Sequence, residues 1–286
     1  MWMTGFPFLM LEIAVVALLW FTHLPHYRMA QHQKTRCFQK RHTVCGVETS
    51  KPGPQLDGEA MTAIAIIPAR GGSKGIPHKN MAPVAGLSLI ERSILACRQS
   101  ERIDRVVVTS DSQEILWVAQ HAGAETIQRP AELATDQSPT RPAIEHAIKA
   151  GGLWADYLAL VQCTSPFLTG GHADRCFEAL DRWPAAQVAI LAAQLHTVIW
   201  QGGQRQHCLS QPDGILRGRR QDQAPIYIET GACYVYRWDA WEAHGDTIRA
   251  AHTVLVGVPF WPYTVNVDTP EDLRAADMLA REWGLW

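Results

Sequence analysis

Short apolar runs alternate with amphipathic stretches along residues 61–286, and this alternation predicts the order of strands and helices. The first run, AIAII at 63–67, is continuous and contains three isoleucines, which is typical of a parallel strand buried on both faces. Similar runs predict further strands at 105–111, 124–128, 156–162 and 187–194, and in the tail segments ACYVYR (232–237), HTVLVGV (252–258) and TVNVD (264–268).

The stretches between these runs predict helices. Ser88 and Glu91 form an S-x-x-E capping box, which marks the start of a helix. The residues expected to face inward from that helix are Leu89, Ile90, Ile94 and Leu95. Gly123 is expected to end the next helix, and further helices are predicted near 139–149, near 171–182 and at the end of the chain. The alternation of strand and helix with short loops predicts an α/β domain, a mostly parallel sheet with helices on both faces.

Residues 1–60 have a different character from the rest. The run FPFLMLEIAVVALLWFTHL at 6–24 is interrupted by Glu12, and it is borderline against the roughly 20 apolar residues that a membrane-spanning helix needs. It lacks the basic n-region and the cleavage site of a signal peptide. Two interpretations stay open: a signal anchor that tethers a cytoplasmic domain, or an N-terminal extension that is unstructured, or absent if translation starts at Met61. Either way, the functional domain is expected at 61–286.

Composition narrows the class of protein. The chain has 286 residues, 47% hydrophobic and 19% charged, which is ordinary for a globular protein. Its formal net charge of −2 gives no overall attraction to nucleic acid, so a nucleic-acid partner is not expected. The seven cysteines form no CxxC pair, and this favours reduced thiols in the cytoplasm over a zinc site or a disulfide framework.

Polar residues follow several of the predicted strands. The strand ends read PAR (68–70), TSD (109–111), QRP (128–130), QCTSP (162–166) and NVD (266–268). In open α/β sheets, ligands bind beyond the carboxyl ends of the strands. Arginines, carboxylates and hydroxyls are therefore expected along one edge of the sheet, and that edge is the candidate site.

The loop after the first strand suits an anionic ligand. It carries three glycines and three cations: Gly71, Gly72, Gly75, Arg70, Lys74 and Lys79. Glycines let backbone N–H groups approach an anion, and the cations suit a triphosphate. The loop fits neither the Walker A pattern nor GxGxxG, so a P-loop or a dinucleotide site is not favoured. Taken alone, the loop is equally consistent with solvated surface charge.

The whole string IIPARGGSKGIPHKN resembles the signature loop of the CMP-sialic acid synthetase family (acylneuraminate cytidylyltransferases), A-R-x-x-S-K-G-x-x-x-K-N. The resemblance continues in the same order through VVVTSDSQEI, RPAELATD, LVQCTSPF, RRQDQAPIYIETGACYVY and VNVDTPEDL. The last block is similar to the family's metal motif D-I-D-T-x-x-D-L. These blocks span nearly all of 61–286, and none lies in 1–60.

The resemblance implies a Rossmann-like nucleotide-binding sheet with a small dimerisation excursion, expected at 196–225, and a homodimer. It implies the transfer of CMP from CTP to a nonulosonic acid, with release of pyrophosphate and dependence on Mg²⁺. The catalytic residues would be Arg70, Lys79 and Asp268, and the metal ligands Asp268 and Asn266. The substrate-binding residues would be Lys74, Gly71, Gly72 and Asn80 for the nucleotide, Arg129 and Ser138 for the cytidine, Gln162, Arg220 and Tyr234 for the sugar, and Asp111.

Alternatives remain open at several positions. Asp111 is equally typical of a helix N-terminus, Gln162 of a loop, and Arg220 of a solvated patch. Asn266 stands where the family usually has a first aspartate, so a weaker metal site is expected. The nonulosonic acid is not specified. The alternative functions are a cytidylyltransferase for Kdo or another nucleotidyltransferase, and a catalytically weakened nucleotide-sugar-binding protein tethered to a membrane through 6–24.

Overall fold

The computed structural model describes residues 61–195, 199–201, 207–208, 225–247 and 252–285. Their main feature is a seven-stranded sheet. Its strands are β1 (Ala63–Pro68), β4 (Arg105–Ser110), β5 (Glu125–Gln128), β6 (Tyr157–Val161), β7 (Val188–Leu195), β10 (Ile226–Arg237) and β11 (Thr253–Val258). Two short two-stranded pairs are β2 (Pro83–Val84) with β3 (Leu87–Ser88), and β8 (Trp200–Gln201) with β9 (His207–Cys208).

The strand order is β11-β7-β10-β6-β1-β4-β5. The pairs β1–β4, β1–β6, β4–β5 and β7–β11 are parallel, while β10 runs antiparallel between β6 and β7. The prediction of a mostly parallel α/β sheet is confirmed. From β1 the chain continues to β4 on one side and later to β6 on the other, which opens a crevice beyond the carboxyl ends of these strands.

Six α-helices pack on this sheet within the described residues: α1 (Leu89–Arg98), α2 (Gln113–His121), α3 (Thr140–Gly151), α4 (Gly170–Arg182), α5 (Trp238–His244) and α6 (Pro270–Trp283). The predicted capping box is present, since the Glu91 amide donates to the Ser88 side chain and the Ser88 amide to the Glu91 carboxylate. Gly123 follows α2 with a φ of 87°, a left-handed conformation that glycine adopts readily.

The inward orientation predicted for Leu95 is wrong. Leu95 is 38% exposed, whereas Leu89, Ile90 and Ile94 are fully buried. Successive residues of a helix are rotated by about 100°, so Leu95 lies well beyond Ile94 around the axis of α1 and outside its buried stripe.

The core consists of two layers, one on each face of the sheet. Along β1, Ala63, Ala65 and Ile67 face a layer built with α1, α2, α4 and α6. The alternate residues Ile64 and Ile66 face a second layer, which contains side chains of α3 and α5. Because successive side chains of a strand point to opposite faces, a continuous apolar strand serves both layers. The predicted helices on both faces are confirmed.

The predicted strand at 264–268 is wrong. This segment is extended, with Val265 and Val267 buried and the residues between and after them exposed. The amide of Val267 donates to the carbonyl of Thr164 at 2.7 Å, but the amide of Val265 is used inside a turn, where it bonds Pro262. One such contact does not make a ladder, and α6 begins directly afterwards, at Pro270.

Some sequence predictions lie outside the described residues. They concern the segment 1–60 with its apolar run 6–24, Arg220, and most of the expected excursion at 196–225. Among the helices of the described ranges, none combines the length and the apolar character needed to cross a bilayer.

Candidate active site

A pocket of about 290 Å³ opens beyond the carboxyl ends of β1 and β6. Its walls are the loop after β1, the segment from Arg129 to Thr140, and the first residues after β6. Six of the predicted site residues line it: Arg70, Lys79, Asn80, Arg129, Ser138 and Gln162. The structure therefore brings together side chains that lie up to 92 positions apart in the sequence (162 − 70).

The loop after β1 is held by its own side chains. Asn80 is buried, and its amide nitrogen donates to the carbonyl of Arg70 at 3.0 Å. The amide of Ala69 continues the pairing of β1 with β4 by donating to Thr109. Asn80 thus fixes the backbone from which the Arg70 side chain enters the pocket.

Gly71 joins this loop to the start of α2. Its amide donates to Oδ1 of Asp111 at 3.0 Å, and a Cβ on Gly71 would lie only 2.9 Å from Cβ of Ser112. Any larger residue would push the loop away from α2. The hydroxyl of Ser112 accepts from the Ile115 amide and caps α2. Asp111, the residue before it, is directed at the loop.

Arg129 is a buried cation with incomplete pairing. The residue is 6% exposed, and its nearest carboxylate is Asp111, at 3.8 Å from Nη2. Burial lowers the pKa of Arg129, with the nearby charge of Arg70 acting in the same direction and Asp111 against it. Its Nε atom has no hydrogen-bond partner among the described residues. Arg129 therefore keeps a buried donor without a protein partner among the described residues, which is costly.

Asp136 pairs with two of the three predicted triphosphate cations. Its Oδ1 atom accepts from Nη1 of Arg70 at 2.7 Å, and its Oδ2 atom lies 3.0 Å from Nζ of Lys74. The bond from Lys74, followed by that from Arg70, lowers the pKa of Asp136. Asp136 lines the pocket. It is not among the predicted site residues, although it belongs to the ATDQS segment of the resemblance.

The third cation, Lys79, pairs with Asp268. Its Nζ atom lies 2.8 Å from Oδ1 of Asp268, and Nδ2 of Asn266 donates to Oδ2 at 3.0 Å. The exposed side chains of Asn266 and Asp268 alternate with buried valines, so both lie on one side of the segment. The predicted metal ligands are therefore adjacent, and Asp268 adjoins the pocket through Lys79.

The Asp268 carboxylate fits a hard divalent cation. Its side chain is 61% exposed, and each carboxylate oxygen has a second lone pair beyond the one that its hydrogen bond uses. Mg²⁺ favours one or two carboxylates together with phosphate oxygens and waters. Within the described residues, no three His, Cys, Asp or Glu side chains are grouped as a self-sufficient metal site. A cation here would therefore depend on phosphate oxygens.

Ser138 shapes the loop that carries Asp136. Its hydroxyl donates to the carbonyl of Glu132 at 2.9 Å, accepts from the amide of Thr135 at 3.2 Å, and lies 2.6 Å from the Thr135 hydroxyl. The Ser138 amide also donates to the Thr135 carbonyl. Ser138 therefore determines the conformation of the segment 132–138, which forms one wall of the pocket.

Gln162 and Tyr234 lie near a bulge in β10. The pairing of β10 with β7 shifts register between Glu229 and Tyr234, where Gly231 has a φ of 73°. A Cβ on Gly231 would lie 3.8 Å from Oε1 of Gln162. The Tyr234 hydroxyl donates to Glu229 at 3.0 Å, and burial, followed by the Glu229 charge, raises the pKa of Tyr234. Glu229 was not predicted, since no motif singled it out.

Residues 64–230 match the model of the protein family described as Cytidylyltransferase. This range covers more than half of the chain, includes the loop after β1 and Asp136, and ends just before Gly231 in β10. The chain belongs to the cytidylyltransferase family, and the family predicted from the motifs is confirmed.

Relatives include the N-acylneuraminate cytidylyltransferase of Escherichia coli O18:K1:H7, 39% identical over 42% of this chain and 29% of the relative. The enzyme of the same name from Oncorhynchus mykiss is 32% identical over 79% of this chain and 52% of the relative. A pseudaminic acid cytidylyltransferase of Campylobacter jejuni is 30% identical over 77% of this chain and 96% of the relative. The chain thus spans about half, or less, of the first two relatives.

Solved structures agree on the fold. CMP:2-keto-3-deoxy-manno-octonic acid synthetase, solved with CTP, superposes with a TM-score of 0.58 at 20% identity, covering 77% of this chain and 99% of that one. The 4-diphosphocytidyl-2C-methyl-D-erythritol synthase of Anaerococcus prevotii gives 0.56 at 12% identity, covering 78% and 100%. At these identities the likeness shows a shared architecture and leaves the substrate to other arguments.

Proposed function

We propose that this protein transfers CMP from CTP to the anomeric hydroxyl of a nonulosonic acid, an N-acylneuraminate or a close analogue, and releases pyrophosphate. One observation carries the proposal: Arg70, Lys79 and the incompletely paired Arg129 converge on a single pocket beyond β1 and β6. Membership of the cytidylyltransferase family supports CTP as the nucleotide. Relatives named for N-acylneuraminate and pseudaminic acid support a nonulosonic acid as the sugar.

The chemistry requires charge neutralisation more than covalent help from the protein. The sugar oxygen forms a bond to the α-phosphorus as the bond to the pyrophosphate oxygen breaks, and the hydroxyl proton leaves to solvent or a nearby base. Cations held in place before the ligand arrives stabilise the charge on the phosphate oxygens and on the leaving pyrophosphate. Arg70, Lys74 and Lys79 supply that charge from one loop.

We assign the metal to Asp268, with Asn266 beside it. A bound Mg²⁺ would neutralise phosphate charge next to Lys79. Asn266 contributes a neutral amide, so Asp268 supplies the negative charge on this side of the site.

The two organic parts of the substrates are assigned to opposite sides of the pocket. Arg129 and the Ser138 loop would accommodate the cytidine, since both line the pocket. In addition, the Nε atom of Arg129 has no hydrogen-bond partner among the described residues. Gln162 and Tyr234 would face the sugar near the bulge of β10. Arg220 is kept as a proposed sugar contact on the resemblance alone, because it lies outside the described residues.

A homodimer in the cytoplasm is part of the proposal. Beyond the bulge, residues 226–229 of β10 pair with β7 and not with β6, and Tyr227 and Ile228 are exposed there, next to the segment 196–225. Exposed apolar side chains at this end of β10 favour burial against a second copy. Light scattering after size-exclusion chromatography tests the dimer.

The test of function is pyrophosphate release with Mg²⁺, each of the four nucleoside triphosphates in turn, and a panel of keto acid sugars. CTP-dependent release with a nonulosonic acid is expected. Release only with Kdo, with methylerythritol phosphate, or with another nucleotide would replace the proposal by one of the alternative transferases. CTP binding without turnover on any sugar would indicate a nucleotide-sugar-binding protein.

A further inference from the structure

Each predicted triphosphate cation is paired with a carboxylate of the protein itself. Lys79 pairs with Asp268, whose position suits a metal, while Arg70 and Lys74 share Asp136. Asp136 lies in a different loop, 66 positions after Arg70, and has no part in the proposed transfer. The transfer itself therefore does not account for the contacts of Asp136 with Arg70 and Lys74.

We propose that Asp136 is a built-in counter-ion, which holds Arg70 and Lys74 in the place of a polyphosphate and is displaced when the polyphosphate binds. This role rests on the proposed function, because it assumes a ligand with a polyphosphate chain. It adds to that function a residue that sets how tightly the phosphates are held.

The geometry of the contacts supports displacement. The two oxygens of Asp136 each take one cation, at 2.7 and 3.0 Å, and two oxygens of one phosphate could accept the same two donors. Asp136 lines the same pocket as Arg70, so a bound phosphate and the carboxylate would lie close together as like charges. A polyphosphate carries several negative charges, whereas the Asp136 carboxylate carries one. The polyphosphate should therefore bind Arg70 and Lys74 in preference to Asp136.

The ion pairs of Asp136 are exposed enough for a phosphate group to replace the carboxylate. The side chain of Asp136 is 37% exposed and that of Lys74 is 81% exposed, so both can be solvated when they separate. Exposed ion pairs contribute little to stability and are weakened by salt. Asp136 thus fixes the cations in the ligand-free protein without a contact strong enough to exclude the ligand.

The conformation of the Asp136 loop does not depend on the Asp136 carboxylate. The hydroxyl of Ser138 bonds Glu132 and Thr135, and the backbone turn from Thr135 to Ser138 closes the segment. A neutral residue at 136 should therefore leave the loop in place while releasing both cations.

A counter-ion of this kind opposes the binding of any free polyphosphate, including the pyrophosphate product. When pyrophosphate begins to leave, Asp136 can return to Arg70 and Lys74 and prevent rebinding. The consequence is faster product release at the cost of some affinity for the entering nucleotide.

Titration of the full chain with inorganic tripolyphosphate, followed by calorimetry at several salt concentrations, tests this role. We expect Asp136→Asn to bind tripolyphosphate about fivefold more tightly than the wild type. Its affinity should also fall more steeply with salt. Asp136→Glu should restore wild-type behaviour, and Asp136→Ser serves as a second neutral variant if the first is unstable.

Glu125→Gln is the matched control, because it removes one carboxylate from the exposed Arg105–Glu125 pair at the amino ends of β4 and β5. It should bind tripolyphosphate like the wild type. Unchanged or weaker binding in the neutral Asp136 variants would overturn the counter-ion role, as would wild-type protein that binds CTP but no tripolyphosphate. Wild-type protein that binds neither would instead contradict the proposed function.

Discussion

Gly75 lies directly against the backbone of Asp268. A Cβ on Gly75 would stand 2.5 Å from the Asp268 carbonyl oxygen, closer than Cβ atoms come in real proteins. The glycine therefore allows the loop after β1 to touch the segment that carries the proposed metal ligand. Lys79, four residues further on, makes its ion pair with the same aspartate. The loop after β1 and the segment 266–268 are thus positioned by one close approach.

Replacing Gly75 by alanine should force these two segments apart. Overpacking of this kind typically costs 1–3 kcal/mol, and we expect kcat/KM to fall by about tenfold or more because Asp268 moves relative to Lys79. Steady-state kinetics of pyrophosphate release would measure the loss. Gly171→Ala, in α4 and outside the pocket, is the matched control, since a Cβ at Gly171 meets no atom within 4 Å. Equal activities of the two variants would show that the approach of Gly75 is unimportant.

The burial of Arg129 predicts opposite effects on stability and on nucleotide binding. Arg129→Met removes a desolvated guanidinium whose Nε atom lacks a partner among the described residues. We therefore expect the free energy of unfolding to rise by about 1 kcal/mol. CTP affinity should fall by at least about tenfold, because a charge-assisted donor is lost. Denaturant unfolding and calorimetry with CTP measure the two quantities.

Arg105→Met provides the comparison for Arg129, because Arg105 is exposed and paired with Glu125. It should change neither quantity by more than about 0.5 kcal/mol. A destabilised Arg129→Met protein that keeps its CTP affinity would show that Arg129 serves the fold and not the ligand.

The sequence was informative wherever local pattern decides structure. The apolar run at 63–67 and the capping box at Ser88 are local signals, and both are present in the fold. The antiparallel direction of β10 and its bulge at Gly231 depend on long-range pairing, which no local period encodes. At 264–268 the alternation was real, but it reflects two buried valines in an extended segment and not a strand.

In the candidate site, the cations could be predicted from the sequence, but their ion-pair partners could not. Motif spacing brought Arg70 and Lys79 into the prediction, and the structure places both in the pocket. The partners of these cations were not apparent, because Asp136 and Asp268 are 66 and 189 positions away from them in the sequence and approach them only through the packing of the fold. An acidic residue inside a matched motif is a signal that could have directed attention to Asp136.

If Asp268 holds Mg²⁺ as proposed, the residues at 266 and 268 predict how the Mg²⁺ dependence of turnover can be changed. Asp268→Asn should abolish Mg²⁺-dependent turnover while leaving the melting temperature within a few degrees, since the side chain is 61% exposed. Asn266→Asp restores the second carboxylate of the family motif and should lower the Mg²⁺ concentration for half-maximal turnover by roughly tenfold. Turnover measured against Mg²⁺ concentration gives both values. Unchanged Mg²⁺ dependence in both variants would remove the metal from this segment.

His172, at the start of α4, predicts a pH effect on stability. Its Nδ1 atom lies 2.9 Å from the Thr169 hydroxyl and its ring packs against the edge of Tyr263, with centroids 4.5 Å apart. Burial, followed by the charge of Arg175, lowers the pKa of His172 from 6.5 to about 4. Between these values the unfolded chain binds a proton that the folded protein does not, so stability falls as the pH falls from about 6.5 to about 4.

His172→Gln should remove this part of the acid sensitivity. After allowance for the partial exposure of the ring, we expect His172 to lower the free energy of unfolding of the wild type by about 1 kcal/mol when the pH falls from 7 to 5. Over the same change in pH, the melting temperature of the wild type should fall by about 2–4 °C more than that of the variant. Thermal unfolding of both proteins at pH 7 and pH 5 gives the comparison, with the variant's loss at pH 5 as the baseline from all other groups. Parallel losses in the two proteins would mean that His172 titrates alike in the folded and unfolded states.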